Sequence, residues 1–197
     1  MDWMETLASE DKISDSQETK ELVSYTTLNL KRMKRLYKTV EIDNGLLDLL
    51  AEIKDKQIWY VIAEVWCGDC AQNLPIISKI ADSSNGLIDL KIISRDDNPE
   101  WMEKYHTLGS KSIPKLISFN RFGVELFTWG PRPKPAQQIL ENWKSNPNGK
   151  SWDDFEKDLH TWYAQNKSKS IQYEFYQILS KNINNNSLIN FNNISNN

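Results

Sequence analysis

Trp66-Cys67-Gly68-Asp69-Cys70 holds the only two cysteines of a 197-residue chain. An apolar run over residues 58–65 leads straight into it, and a helical pattern follows. A Cys-x-x-Cys placed where a strand ends and a helix begins has chemistry to do. The unpaired N–H groups and partial positive charge of a helix N-terminus stabilise a thiolate on the first cysteine. The two-residue spacing keeps the second sulfur close enough to form a disulfide once the first has been attacked.

Other chemistries find less support. Zinc would need four ligands, and only His106 and His160 stand beside the cysteines, at a spacing that matches no finger pattern. No metal is therefore expected. No glycine-rich phosphate loop, Ser-His-Asp arrangement or paired-carboxylate motif stands out. A net charge of −3 argues against nucleic acid or an anionic membrane as the main partner. Five of the eight residues 31–38 are basic, but they interleave with Met33, Leu36 and Tyr37 at helical spacing. That pattern suits a solvated helix face better than a phosphate-binding patch. The opening Met-Asp-Trp-Met-Glu has neither a basic n-region nor an apolar h-region. No apolar run approaches the ~20 residues that span a bilayer. Two cysteines in such a chain suit a redox or metal pair rather than a structural disulfide scaffold, and a cytoplasmic location is expected.

The elements that must position the cysteines follow from periodicity. Residues 1–16 are polar and acidic and read as a flexible N-terminus. Leu22, Tyr25, Leu30, Met33, Tyr37 and Val40 recur at helical intervals over 17–39. Leu46, Leu49, Leu50 and Ile53 mark a short amphipathic helix. The run 58–65 reads as a buried central strand and 87–94 as a second buried strand. Between them lies a helix with Leu74, Ile77 and Ile80 on one face and Pro75 inside, where a proline is expected to kink it.

Asn98 and Pro99 suit the N-cap and first position of another helix. Strands at 115–119 and 124–129 flank the Asn120–Gly123 turn of a hairpin. A helix ends near Lys144, and Ser151-Trp152-Asp153-Asp154 resembles the capping box of a last one. That helix would bury Trp152, Phe155, Leu159 and Trp162, with a continuation through Ile171, Phe175 and Ile178. Nine of the sixteen residues 182–197 are Asn, which reads as a disordered tail. The expected organisation is one domain over 17–181 with its core at about 45–145. It is an α/β protein with a mixed sheet flanked by helices.

Several of these segments together resemble the thioredoxin family. The strand ending in Trp66-Cys67-Gly68-x-Cys70 is similar to the family's active-site segment. Asp97-Asn98-Pro99 ahead of a helix ending in Lys104-Tyr105 resembles its middle portion. Ser112-Ile113-Pro114-Lys115-Leu116-Ile117 resembles the segment that carries its cis-proline. Gly123 and Gly130 sit where the family turns its hairpin and where its backbone passes close to the active site. The likeness covers about residues 56–143.

It implies a thioredoxin-like fold with extra N- and C-terminal helices. It also implies Cys67 as attacking thiolate and Cys70, one turn in and more buried, as resolving thiol. Trp66 would form an apolar lip, with plain core packing as the other reading. A cis Ile113–Pro114 bond would present the Ile113 backbone to an extended substrate, against the alternative of an ordinary trans proline starting a strand. Gly130 would leave room for that substrate's backbone.

The chain departs from the family in three places. Asp69 stands where proline is more usual, and its charge should oppose the Cys67 thiolate although an acid suits a helix's first turn. Val61 replaces the carboxylate the family ordinarily carries six residues before the first cysteine, where it helps move the second thiol's proton. Glu64 is a candidate substitute proton carrier, or else a structural ion-pair or hydrogen-bond partner. The N-terminal helix and the region after Lys144 are additional mass.

The function expected is disulfide reduction through a Cys67/Cys70 dithiol–disulfide cycle. It needs no cofactor beyond the redox-active Cys67–Cys70 disulfide. Protein or small-thiol disulfides would be the substrates, and a reductase would recycle the pair. The alternative is a thioredoxin-fold binding protein whose cysteine chemistry is slow or incidental.

Overall fold

A computed structural model describes residues 17–194; the N-terminus expected to be flexible at 1–16, and residues 195–197, lie outside the described residues. An apolar strand is stable only when both its faces are covered, and β1 (Gln57–Ala63) occupies such a position. It pairs in parallel with β2 (Ile88–Ser94) and antiparallel with β3 (Lys115–Asn120), which pairs antiparallel with β4 (Glu125–Trp129). The sheet order is β2-β1-β3-β4, a mixed sheet. Helices α1 (Gln17–Thr39) and α2 (Asn44–Ala51) precede it. Helices α3 (Gly68–Asp82) and α4 (Pro99–Lys104) flank β2 in the chain. Helices α5 (Lys134–Ser145), α6 (Trp152–Asn166) and α7 (Lys169–Ile194) follow β4. The expected α/β architecture is present.

Successive residues of a strand point to opposite faces. The Trp59 ring meets Phe175 of α7 at 5.4 Å, whereas the Tyr60 ring meets Trp101 of α4 at 4.9 Å. Helices α7 and α4 therefore cover opposite faces of β1. Helix α3 runs through Pro75 without interruption and buries Leu74, Ile77 and Ile80 completely. Strand β2, expected to be buried, is instead an edge strand. Only Ile88 of its seven residues is buried, and Asp89 and Lys91 are exposed.

Two helix starts are capped by side chains. Asp43 accepts from the Gly45 amide at 2.9 Å to cap α2, and Ser151 and Asp154 form the expected reciprocal capping box on α6. Asn98 stands at the N-cap of α4 with Pro99 next, as expected, but its side chain makes no capping bond; its Nδ2 donates to the Ser94 carbonyl at 2.8 Å.

The expected last helix and its continuation are two helices, separated where Lys167 and Ser168 adopt left-handed backbone at φ 50° and 62°. Helix α6 packs on α5 through Ala136, Leu140, Phe155 and Leu159, a satellite core, while Trp152 remains half-exposed. Helix α7 buries Ile171, Phe175 and Leu179 in the main core and continues to Ile194. The boundary expected at 181–182 thus falls inside a helix, and the backbone of 182–194 is helical rather than an irregular tail. The reason is visible in the spacing. Ile171, Phe175, Leu179 and Ile183 recur every fourth residue, and Ile183 also packs against the core.

Phe175 is fully buried and touches both Trp59 and Trp129. Phe175→Ala is expected to cost about 3–5 kcal/mol, read from urea denaturation. A cost below about 1 kcal/mol would show that α7 is a surface attachment.

Candidate active site at the strand–helix turn

The first helical turn of α3 leaves its leading N–H groups without intrahelical partners, and Cys67 is its N-cap, with extended backbone at φ −76° and ψ 122°. The Cys67 carbonyl accepts from the Ala71 amide at 3.0 Å. Cys67 is half-buried, Cys70 is fully buried, and both thiols are free. The Cys67 thiol donates to the Ile113 carbonyl at 3.5 Å, and the Ile113–Pro114 bond is cis. Burial pushes the Cys70 thiol well above its ordinary value, and the adjacent Cys67 sulfur adds to that push.

Trp66 is partly exposed beside the sulfur, with the Arg95 guanidinium 4.8 Å from its ring centre. Gly130 has φ +114°, and a Cβ there would clash with the Pro114 carbonyl oxygen, so the missing side chain makes room for the chain's own backbone.

A groove of about 860 Å³ opens over Cys67. Tyr25 and Leu28 of α1 line it on one side, and Trp152, Leu159 and His160 of α6 line it on another.

A thioredoxin family model matches residues 16–144. The chain belongs to the thioredoxin family. Among curated relatives, it is 35% identical to thioredoxin 1 of Nostoc sp. over 54 residues, which are 27% of this chain and 48% of that one. It is 32% identical to a Rhodospirillum rubrum thioredoxin over 69 residues, 35% of this chain and 64% of that one. The chain thus spans about half to just under two-thirds of the length of these relatives.

A crystal structure of a protein of unknown function from Pseudomonas aeruginosa shares the fold at TM-score 0.59 and 17% identity, over 80% of this chain and 90% of that one. An HIV epitope scaffold does so at TM-score 0.54 and 17% identity, over 90% of this chain and 97% of that one. The family match takes in α1, which the sequence reading set aside as additional mass. It ends before α6 and α7.

In this thioredoxin-family site, three buried polar arrangements went unseen in the sequence. Asn29 is 1% exposed, and its Nδ2 donates to the carbonyls of Val65 and Trp66, each at 2.9 Å. This ties α1 to the turn ahead of the cysteines. A signal was available, since Asn29 lies four residues before Met33 on the buried stripe of α1, where a polar residue needs a partner.

Asp69 is buried. Its Oδ2 accepts from Arg132 Nη2 at 2.5 Å, and its Oδ1 accepts from the Tyr163 hydroxyl at 2.7 Å. These partners lie 63 and 94 residues away, so no local pattern announces them.

His160, weighed in the sequence only as a metal ligand, has ring atoms 3.3 Å from where a Cβ on Gly68 would lie. Glycine at 68 allows this approach. Among the described residues, no three His, Cys, Asp or Glu side chains are grouped to hold a metal, and no helix is long and apolar enough to cross a membrane.

Of the two readings of Glu64, the geometry takes the hydrogen-bond partner. Its Oε1 accepts from the Ser94 hydroxyl at 3.0 Å and from the Arg95 and Asp96 amides at 2.6 and 3.3 Å. It braces the loop that brings Arg95 over Trp66. Burial pushes this carboxyl above its ordinary value, and those donors oppose the push. Val61 is fully buried, and as a valine it offers no carboxylate.

Two measurements test this account. Asn29→Ala leaves two carbonyls without their donor and is expected to cost about 1–3 kcal/mol in chemical denaturation. An unchanged midpoint would mean the turn holds without α1. Burial first, and then the Arg32 cation, push His160 from 6.5 down to about 4. The unfolded chain therefore takes up a proton before the folded one does, and stability falls as pH drops from 6.5 toward 4. His160→Gln should flatten that part of the Tm-against-pH curve; parallel curves would remove His160 from the acid response.

Proposed function

We propose that the protein is a thiol–disulfide oxidoreductase that reduces disulfides through a Cys67/Cys70 dithiol–disulfide cycle. The Cys67 thiolate attacks one sulfur of a substrate disulfide. A mixed disulfide forms, and the substrate's other sulfur leaves as a thiolate that takes up a proton. Cys70, deprotonated, then attacks the Cys67 sulfur. The Cys67–Cys70 disulfide forms and the second substrate thiol departs, so two electrons pass from protein to substrate. A reductase would return the pair to the dithiol. Protein or small-thiol disulfides are the substrates on this reading, and the cytoplasm, which keeps thiols reduced, is the compartment.

One observation carries the proposal. A half-exposed cysteine caps a helix N-terminus with its sulfur against the Ile113 carbonyl, and a buried cysteine follows one turn later. Attacker and resolver are thereby distinguished by access. A specific observation also favours the binding-protein alternative. Val61 supplies no carboxylate, and burial holds the Cys70 thiol up, so resolution would be slow.

Insulin reduction with dithiothreitol as electron source separates the two. The oxidoreductase should accelerate it, limiting iodoacetamide should label Cys67 before Cys70, and Cys70→Ser should trap mixed disulfides that Cys67→Ser does not. A rate equal to that of dithiothreitol alone would leave the binding role.

A further inference from the structure

A carboxylate between two reactive sulfurs opposes their ionisation unless something balances it. Asp69 is balanced from two directions. Arg132, from the loop between β4 and α5, donates Nη2 to its Oδ2, and Tyr163, from α6, donates its hydroxyl to Oδ1. Asn73, one turn further along α3, donates Nδ2 to the Tyr163 oxygen at 2.9 Å. The ion pair is enclosed, with side chains only 9% (Asp69) and 12% (Arg132) exposed. Among the described residues, Arg132 Nε and Nη1 are buried without a hydrogen-bond partner, and Asp69 is the one carboxylate there that the guanidinium holds. Burial and the adjacent carboxylate push the Tyr163 phenol well up, which keeps it a donor.

We propose that Arg132 and Tyr163 are positioning residues that hold and neutralise the Asp69 carboxylate inside the Cys67–Cys70 motif, so that helix α6 helps set the reactivity of Cys67. The helix beyond the family match is then a working wall of the site. The proposal rests on the oxidoreductase reading only for the use made of that reactivity, which is measurable without turnover.

Other charged groups face the same groove and stay constant through the test. Arg32 comes from α1, and Arg95 and Lys111 come from loops. Asp153, Glu156, Lys157 and His160 come from α6. Glu64, at the end of β1, is held by the 94–96 loop.

The test is the pH dependence of Cys67 alkylation by iodoacetamide in the full-length, reduced protein. The thiolate sulfur forms a bond to carbon and iodide leaves. Asp69→Asn leaves the permanently charged Arg132 unopposed and should move the rate midpoint toward acid by about half a pH unit or more. Asp69→Asn with Arg132→Gln removes both charges and should return the midpoint to that of wild type. If Asp69 acted alone, the double variant would keep the acid shift, and that result overturns the proposal.

Tyr163→Phe keeps the ion pair and removes one donor to the carboxylate, so its midpoint should move a smaller distance toward alkali. It remains decisive if the Asp69 variants fail to fold. A Tyr163→Phe profile that coincides with wild type, even with a lowered Tm, overturns the role given to α6. A wild-type protein that does not accelerate insulin reduction while these midpoint shifts are observed would refute the oxidoreductase reading and leave this proposal standing.

Discussion

The burial of one carboxylate organises the active-site end of this molecule. An ionised group out of water must be met by donors and opposite charge, because its lost hydration is otherwise uncompensated. Asp69 occupies the first turn of α3, where the helix terminus already favours an acid. Its remaining demand is met by Arg132 and Tyr163. Meeting it draws in the loop after β4 and helix α6. It also places α6 over Gly68 and along the groove beside Cys67.

The same logic governs the other side of the turn. The carbonyls of Val65 and Trp66 leave the sheet before α3 begins, so they need donors from elsewhere, and Asn29 of α1 supplies both bonds. Glu64 satisfies the Arg95 and Asp96 amides of the facing loop. The sulfurs thus sit among polar ties made by residues from α1, Glu64 and the 94–96 loop, the loop after β4 and α6.

These polar ties are joined by apolar coverage of the sheet. Trp59 and Tyr60, neighbours on β1, send their rings to opposite faces and meet α7 and α4 respectively. Helix α7 therefore belongs to the main core, whereas α5 and α6 share a smaller one of their own. The smaller core carries the wall of the groove, and its attachment to the rest passes partly through the Tyr163–Asp69 bond.

The sequence by itself determined the order of elements, the strand–turn–helix setting of Cys67 and Cys70, and the Ser151 capping box. Each of these is written in a period of two or 3.6 residues, or in turn chemistry spanning a few positions. Its misjudgements share a cause. Composition alone misread residues 182–194, where a four-residue spacing through Ile183 carries the helix on. The apolar character of 88–94 did not reveal an edge strand, because edge or centre depends on which strands pair. Only the tertiary structure decided that Asp69 is a buried, ion-paired group. Its environment is made by residues 63 and 94 positions away, and burial and charge balance are properties of that assembled contact, which no local pattern encodes.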